Sequence, residues 1–265
     1  MHQPEPKKQL GQHWLHDEAS LGAMLSAADI VPDDYVVEVG PGLGTLTQFL
    51  LDADATVHAI EFDEELARTL RKRVKHTPER LMITQADIMR FNFSELPKDY
   101  KIVANIPYYL TSGLLRLLSE AANPPKAAAL LVQKEVAERV CAKQGDMSTL
   151  SVSVQMYFEA SLGPIVPAEL FTPPPKVDSQ ILVLQRRPEP LFGNLDPKLL
   201  FRVVKAGFGE RRKKLRSSLS GGLGIDKLAA DELLAKADIS GDLRAQNLNL
   251  ADWIHLTNIW QEFKS

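Results

Sequence analysis

The fold of this chain is decided by residues 35–44, which are YVVEVGPGLG. The first five, apolar except for Glu38, predict a buried strand, and the glycines after them predict a tight turn. A helix is expected to start near Thr45. Glycines between a strand and a helix let a ligand approach the backbone, so the pattern predicts a ligand site at the carboxyl end of this strand.

An acid follows the next predicted strand, residues 56–60. This acid, Glu61, lies 17 residues past Gly44. At the end of a second strand, a carboxylate is placed to accept hydrogen bonds from the two hydroxyls of a ribose. Together with the glycine loop, Glu61 predicts a nucleoside-containing ligand.

The spacing of the glycines narrows the type of ligand. They stand at Gly40, Gly42 and Gly44, whereas a dinucleotide loop of the form G-x-G-x-x-G would need glycine at Thr45. Glu38 precedes the first glycine by two residues. The pattern E/D-x-G-x-G-x-G is typical of S-adenosylmethionine enzymes and fits better than a pyrophosphate-binding loop.

A second motif, NIPY at residues 105–108, follows the apolar run 100–104. The Asn105 amide and the Ile106 carbonyl can together accept both hydrogens of an exocyclic amine. Pro107 fixes φ and stiffens the turn, and Tyr108 offers a flat face on which a nucleobase can stack. The motif predicts a clamp for an amino-bearing base. The alternative is an ordinary strand-to-helix turn with an Asn cap.

Two further segments extend the predicted site. Asp87 follows the predicted strand 81–85 and can accept the amino group of a cofactor adenine, or else serve only as a helix N-cap. The loop 171–178 contains three consecutive prolines, which make it stiff and extended. It is either a connector or a rigid holder that presents Phe171 as the second wall of a base pocket.

The order of predicted elements indicates a doubly wound sheet followed by helices. Five strands alternate with helices, and two more strands, residues 156–162 and 179–184, are expected to pair at one edge. The segment Pro188-Glu189-Pro190 marks a domain boundary. Beyond it the pattern predicts four helices, with Gly221-Gly222 separating two of them, over residues 199–208, 211–219, 225–235 and 250–263.

Charge is distributed unevenly along the chain. The net charge is −3, yet residues 186–219 hold ten basic side chains against three acidic ones. The densest cluster lies in residues 208–216. Such a run is either a solvated helix face or a surface that contacts phosphates. A second basic stretch, residues 7–15, is expected to dock on the protein because it ends in Trp14 and Leu15.

Composition excludes several classes of protein. Apolar residues make up 45% of the 265 positions, as in globular proteins, and no run of 18 apolar residues predicts a membrane helix. The amino terminus lacks the apolar segment of a secretory signal. The single cysteine, Cys141, excludes an internal disulfide, fits a reducing cytoplasm and is expected to be buried on a helix. No Cys/His spacing predicts a metal site.

With these motifs in view, the sequence resembles the ribosomal RNA adenine N6-dimethyltransferases, in particular the bacterial small-subunit enzymes. The resemblance covers nearly the whole chain and rests on residues 8–15, 38–44, 105–108, 171–179 and 208–219. It implies an α/β fold: a Rossmann-like class I methyltransferase domain with a seven-stranded, mostly parallel sheet over residues 1–188. A small all-helical RNA-binding domain over residues 189–265 is implied as well.

The resemblance also implies an activity. S-adenosyl-L-methionine would methylate two adjacent adenosines in the 3′-terminal hairpin of 16S rRNA, on an assembling 30S subunit. The enzyme is expected to be a cytoplasmic monomer without a metal.

Roles are carried over by position. The cofactor would be contacted by His13, Leu15, Gly40, Gly42, Gly44, Glu61, Asp87 and Asn105. The target base would be handled by Asn105, Ile106, Pro107, Tyr108 and Phe171. RNA would be bound by Lys7, Lys8, Lys205, Arg211, Arg212, Lys213, Lys214 and Arg216. Two departures are visible, since many relatives have Asn in place of His13 and Phe in place of Trp14.

Other functions remain compatible with parts of the pattern. A large-subunit rRNA adenine methyltransferase of the resistance type, or a DNA adenine methyltransferase, would use the same two motifs. The proline-lysine segment and the basic C-terminal residues favour the small subunit. A non-catalytic RNA-binding assembly factor or transcription factor could share the fold, but it would not need Gly40, Glu61, Asp87 and Asn105 intact.

Overall fold

The computed structural model describes residues 6–7, 10–75 and 78–263. The chain divides into two compact units. The first comprises Met1–Ala137 and Glu159–Arg186, and the second comprises Glu138–Phe158 and Arg187–Ser265. The predicted boundary at residue 188 lies next to the last point at which the chain passes between the units, after Arg186. The prediction differs for residues 138–158, which it places in the first domain and which the structure places in the second unit.

The described part of the first unit contains a short two-stranded sheet and a seven-stranded mixed sheet. The strands are β1 (Trp14–Leu15), β2 (Tyr35–Val39), β3 (Thr56–Glu61), β4 (Leu81–Gln85), β5 (Lys101–Asn105), β6 (Ala127–Gln133), β7 (Phe158–Val166), β8 (Phe171–Thr172) and β9 (Ser179–Arg186). The helices along the same part of the chain are α1 (Glu18–Ala27), α2 (Thr45–Asp52), α3 (Glu64–Leu70), α4 (Thr111–Glu120) and α5 (Lys134–Val140).

The order of strands in the large sheet is β4-β3-β2-β5-β6-β9-β7. Strands β2 to β6 pair in parallel, and β9 runs antiparallel to β6. The chain moves outward from β2 through β3 to β4, then returns to the other side of β2 with β5. The reversal leaves a crevice at the carboxyl ends of β2 and β5, where open α/β sheets bind their ligands.

The sequence predicts the central strands because they are largely apolar runs buried on both faces, whereas β4 and β7 at the sheet edges are mostly not buried. All but the last residue of β5 and of β6 are buried. Helix α1 covers the sheet with Leu21 and Met24, and α2 with Leu50 and Leu51. The predicted edge pair is present as well, since β9 and β7 are the last two strands. The strand expected over 156–162 is shifted and becomes β7, Phe158–Val166.

The second unit is helical. Its described helices outside α5 are α6 (Thr149–Gln155), α7 (Pro197–Phe208), α8 (Leu215–Leu223), α9 (Lys227–Lys236) and α10 (Leu250–Phe263). Their apolar sides form one core that includes Trp253 and Trp260. Close packing needs small residues at two points. A Cβ on Gly207 would stand 2.4 Å from the Trp253 ring, and one on Gly222 would stand 2.5 Å from the Cα of Ala206.

The helix predicted over 211–219 is wrong in both bounds. Residues 211–213 form a turn, and α8 begins at Leu215 after Lys214. Adjacent cations repel one another and oppose the dipole at the amino end of a helix, which accounts for the late start. The pair Gly221-Gly222 lies inside α8, and Gly224 ends that helix in the left-handed conformation. The close contact of Gly222 with Ala206 explains why glycine is kept within the helix.

Two smaller points complete the fold. Cys141 follows the end of α5 and is half-buried; burial raises the pKa of its thiol to about 11. Across the described residues, none of the helices has the length and apolar character needed to cross a membrane.

Candidate active site

A cavity of about 290 Å³ opens in the first unit where strands β2, β3 and β5 end. Five segments line it: Leu10–Trp14, Val39–Gly42, Ile60–Phe62, Ala86–Met89 and Asn105–Leu110, with Pro41 not in contact. The large sheet brings four of these segments together, and Leu10–Trp14 joins them next to the separate β1-β8 pair. The cavity therefore lies at the crevice that the strand order predicts.

The glycine loop gives the cavity a wall of backbone. Gly40 has φ +67° and Gly42 has φ +56°, conformations that favour glycine. A Cβ on Gly40 would meet nothing within 4 Å, so its backbone is open to a ligand. A Cβ on Gly42 would stand 3.2 Å from Nε1 of Trp14, a buried indole nitrogen with no hydrogen-bond partner among the described residues. The loop is a close-fitting cradle.

Glu61 is held by backbone donors at the end of β3. Oε2 accepts from the Gly42 amide at 3.1 Å, and Oε1 accepts from the Asp63 amide at 2.9 Å. Burial raises the pKa of this carboxyl, while these two hydrogen bonds oppose the shift. Each oxygen keeps a lone pair beyond those bonds. Two adjacent acceptors on one buried carboxyl group suit the paired hydroxyls of a ribose.

Glu38 is a second buried acid close by. It is 1% exposed and accepts a hydrogen bond from the Thr47 hydroxyl at 2.6 Å. Burial raises the pKa of its carboxyl to about 8. With Trp14, Gly40 and Asn105 it lines a smaller cavity of about 40 Å³.

Asn105 has its amide orientation fixed by a distant part of the chain. Its Nδ2 donates to the backbone carbonyl of His13 at 2.9 Å. Because a carbonyl can only accept, the amide must turn its NH₂ group to His13 and its Oδ1 away from it. Oδ1 has no donor among the described residues and is available to accept hydrogen from a ligand. An acceptor on Asn105 is one of the two that the predicted amine clamp requires.

The residues after Asn105 support the same clamp. The Ile106 amide donates to the Leu131 carbonyl at 3.2 Å, which ties the turn to β6. The Tyr108 hydroxyl bonds to the Ser179 hydroxyl at 3.0 Å, so its half-buried ring is anchored from β9. The His13 ring lies 5.9 Å from the Tyr108 ring at an interplanar angle of 23°.

His13 links the amino-terminal segment to the proline loop. Its Nδ1 lies 2.6 Å from the Pro173 carbonyl, so Nδ1 carries the proton and donates. Strand β1 pairs with β8 next to it, in the register Leu15 to Phe171. The basic stretch 7–15, as far as it is described, is docked as predicted.

Several predicted site residues lie elsewhere. Leu15 and Phe171 are each 3% exposed, pack into the core of the first unit and do not line the larger cavity. Phe171 thus supports β1 and is not the second wall of the cavity. Gly44 begins α2, and a Cβ there would stand 2.8 Å from Leu70, which explains the glycine by packing. Asp87 lines the cavity and also caps a helical turn through the Met89 amide at 3.0 Å.

The basic residues predicted to bind RNA fall into two groups. Within the described residues, no carboxylate pairs with the exposed side chains of Lys205, Arg211 and Arg212. The others form ion pairs: Lys7 with Asp63 at 2.6 Å, Lys213 with Glu210 at 2.7 Å, and Lys214 and Arg216 both with Asp242 at 2.9 Å. Lys8 lies outside the described residues.

Comparison with known proteins shows to which protein family this chain belongs. The model of the ribosomal RNA adenine dimethylase family matches residues 4–262. The chain belongs to this family. A ribosomal RNA small subunit methyltransferase A of Dehalococcoides mccartyi is 39% identical, over 97% of this chain and 89% of its own length. One from a Nostoc species is 37% identical, over 96% of this chain and 97% of its own.

Solved structures agree in fold over nearly the whole chain. A dimethyladenosine transferase from Plasmodium falciparum superposes with a TM-score of 0.81 at 25% identity, over 95% of this chain and 98% of that one. The 23S rRNA methyltransferase ErmE superposes with 0.73 at 28% identity, over 94% and 99%. The predicted class I methyltransferase fold and the predicted family are both confirmed.

The chain is an S-adenosylmethionine-dependent rRNA adenine dimethyltransferase, and the cavity fits that methyl donor. Glu61 offers acceptors for the ribose hydroxyls, and the open backbone of Gly40 leaves room for a ligand against the glycine loop. Asp87 and Asn105 line the same cavity, and each carries a side-chain oxygen that can accept hydrogen from a ligand.

Two aromatic residues at the cavity were not singled out from the sequence. Phe62 and Tyr109 both line it, and both are largely exposed. Each directly follows a predicted site residue, Glu61 and Tyr108. That adjacency was the only signal in the sequence, because exposed rings carry no periodic pattern.

Proposed function

We propose that the enzyme transfers methyl groups to N6 of two adjacent adenosines in the 3′-terminal hairpin loop of 16S rRNA, within the assembling 30S subunit. Relatives named for the small subunit are up to 42% identical, whereas the 23S enzyme ErmE is 28% identical. The observation that carries the chemistry is the fixed orientation of the Asn105 amide.

The chemical difficulty lies in the target amine. The N6 lone pair of adenine is delocalised into the ring, so the nitrogen is a weak nucleophile. If Asn105 Oδ1 and the Ile106 carbonyl accept its two hydrogens, the nitrogen becomes more tetrahedral and its lone pair can point at the donor. S-adenosylmethionine supplies a methyl group on a positively charged sulfur.

Orientation accounts for much of the expected acceleration. Holding two reacting groups in line can lower a barrier by roughly 7–11 kcal/mol. The His13 carbonyl prevents the Asn105 amide from rotating, so its acceptor is fixed before the base arrives. No strong general base is required, because the methylated ammonium is acidic enough to release its proton to water.

Tyr108 is assigned the face on which the target base stacks. The base must leave its own stack at a cost of a few kcal/mol, less in a loop than in a duplex. Stacking on an aromatic side chain offsets roughly 1–3 kcal/mol of that cost. The bond from Tyr108 to Ser179 keeps the ring in place for this purpose.

Phosphate contacts are assigned to the second unit, and base binding and methyl transfer are assigned to the first. The exposed cations Lys205, Arg211 and Arg212 are the expected phosphate contacts. We further assign the protein to the cytoplasm as a monomer, in keeping with a substrate that is itself a large particle.

The test is incubation of the enzyme and labelled S-adenosylmethionine with small subunits that lack the modification, followed by mapping of the labelled nucleotide. Label in two adjacent adenosines of the 3′-terminal hairpin is expected. Large subunits and the Asn105→Ala variant serve as controls. Label confined to large subunits, or to another position, would refute the proposed target.

A further inference from the structure

Two exposed aromatic rings stand at one cavity. The Tyr109 side chain is 63% exposed and that of Phe62 is 58% exposed, and both line the cavity that holds Glu61 and Asn105. A single exposed ring on a protein surface is ordinary. Two exposed rings that line the same functional cavity are suited to bind a planar ligand by stacking.

Both rings adjoin residues of the predicted site along the chain. Phe62 follows Glu61, and Tyr109 follows Tyr108 within the segment Asn105–Leu110 that lines the cavity. An RNA strand that delivers an adenine to Asn105 therefore enters the cavity that Tyr109 lines.

The Tyr109 ring also packs against Gly11, which holds it at the edge of the cavity. A Cβ built on Gly11 would lie 3.6 Å from the Tyr109 ring and 3.8 Å from the Cβ of Pro107, so both pack against the Gly11 backbone. Gly11 has φ +59°, which a residue with a side chain rarely adopts. The ring is supported by backbone, and its remaining surface is open to solvent.

The neighbouring tyrosines differ in what holds them. Tyr108 is half-buried and bonded through its hydroxyl to Ser179. The Tyr109 hydroxyl has no partner among the described residues. The chemistry available at Tyr109 is thus its open ring face.

We propose that Tyr109 is a stacking platform for the nucleotide adjacent to the adenosine being methylated. This inference rests on the proposed function, because it needs a single-stranded target held at Asn105. When one base leaves a stack, the face of its neighbour loses its partner. The exposed Tyr109 ring at the cavity can stack on that face. The cavity is then a two-base site, which holds the target adenine and the base next to it.

The test compares Tyr109→Ala with the matched control Tyr109→Phe, which keeps the ring face. With unmethylated small subunits, Tyr109→Ala should lower kcat/KM for RNA about 5- to 160-fold, as expected for one lost stacking contact. Tyr109→Phe should stay within about twofold of wild type. Affinity for S-adenosylhomocysteine, measured by calorimetry, should be unchanged in both variants.

A second readout reports stacking directly. A hairpin RNA carries 2-aminopurine beside the target adenosine, and its emission falls when it stacks. Binding with S-adenosylhomocysteine present should lower the emission for wild type and Tyr109→Phe, and not for Tyr109→Ala.

The outcomes separate the two proposals. If wild type methylates the hairpin adenosines but Tyr109→Ala does so equally well with the same emission change, Tyr109 is no platform and the proposed function stands. If Tyr109→Ala loses S-adenosylhomocysteine affinity as strongly as RNA activity, the ring belongs to the cofactor site and the inference is overturned. If wild type does not methylate the hairpin adenosines of the small subunit at all, the proposed function fails and the two-base site with it.

Discussion

The sharpest prediction concerns which cations of the second unit contact RNA. Arg211 and Arg212 are exposed and have no carboxylate partner among the described residues. Their neighbours Lys213 and Lys214 pair with Glu210 and Asp242 at 2.7 Å and 2.9 Å. The double change Arg211→Ala with Arg212→Ala therefore tests unpaired charge, and Lys213→Ala with Lys214→Ala is the matched control of equal charge change.

The expected magnitude follows from counterion release. Each phosphate contact contributes about 0.7 to the slope of log affinity against log salt for single strands and about 0.9 for B-form duplex. Loss of two contacts should flatten the slope by about 1.4–1.8. The control should flatten it by less than about 1, because the two acids remain beside any phosphate that the lysines would meet.

Neither change should unfold the protein. All four side chains are exposed, and surface ion pairs contribute about 0–1 kcal/mol to the free energy of unfolding. Cofactor affinity should also be unchanged, since the cavity lies in the first unit. Thermal unfolding and calorimetry with S-adenosylhomocysteine check both points before RNA is added.

The assay is filter binding of small subunits across a salt series for wild type and both double variants. An unaltered slope for the arginine double variant would show that Arg211 and Arg212 do not contact phosphates and are only a solvated surface. Equal flattening by both variants would show that ion pairing within the protein does not select the contacts. The first result would refute the assignment of RNA binding to Arg211 and Arg212, and the second would refute the restriction of RNA binding to cations without a carboxylate partner.

Three further changes test the cavity. Glu61→Gln keeps the side chain's size but removes its charge, and should weaken S-adenosylhomocysteine binding roughly tenfold or more, since hydrogen bonds to charged groups contribute about 1.5–3 kcal/mol; an unchanged calorimetric affinity would remove Glu61 from the ribose site. Asn105→Ala should bind cofactor and subunits with little change yet transfer methyl groups far more slowly, and near-normal single-turnover rates would exclude the amine clamp. The pKa of Glu38 is about 8 in the folded protein against an ordinary 4.5. The folded protein therefore keeps a proton that the unfolded chain loses, so the free energy of unfolding is greatest below pH 4.5 and falls as the pH rises toward 8. Glu38→Gln should flatten this decline, by up to about 1.4 kcal/mol per pH unit, in denaturant unfolding between pH 5 and 8.

The fold could be predicted where burial imposes one pattern on a whole element. Strands β2, β3, β5 and β6 are apolar runs ended by a glycine or polar residue, and the structure has them close to the predicted bounds. Helix α6 could not be predicted in this way. Its sequence TLSVSVQ alternates like a strand, and the capping box of Ser148 with Ser151 and burial in the second unit make it a helix.

Local chemistry also misled the prediction where packing decides. Gly221-Gly222 is typical of a break between helices, yet both glycines lie inside α8, where Gly222 packs closely against Ala206. Phe171 in a proline loop suggested a presented ring, yet it is buried against β1. In each case the deciding contact comes from a residue distant in sequence, which no local pattern contains.

The same distinction explains how His13 can depart from the Asn that the family resemblance predicts at this position. The bond that orients Asn105 comes from the His13 backbone carbonyl, which any residue would supply. The imidazole has a separate task, since its Nδ1–H donates to the Pro173 carbonyl at 2.6 Å. An Asn side chain also carries an N–H donor of short reach. What this position must provide is thus a carbonyl for Asn105 and a donor for the proline loop, and His and Asn both satisfy those two requirements.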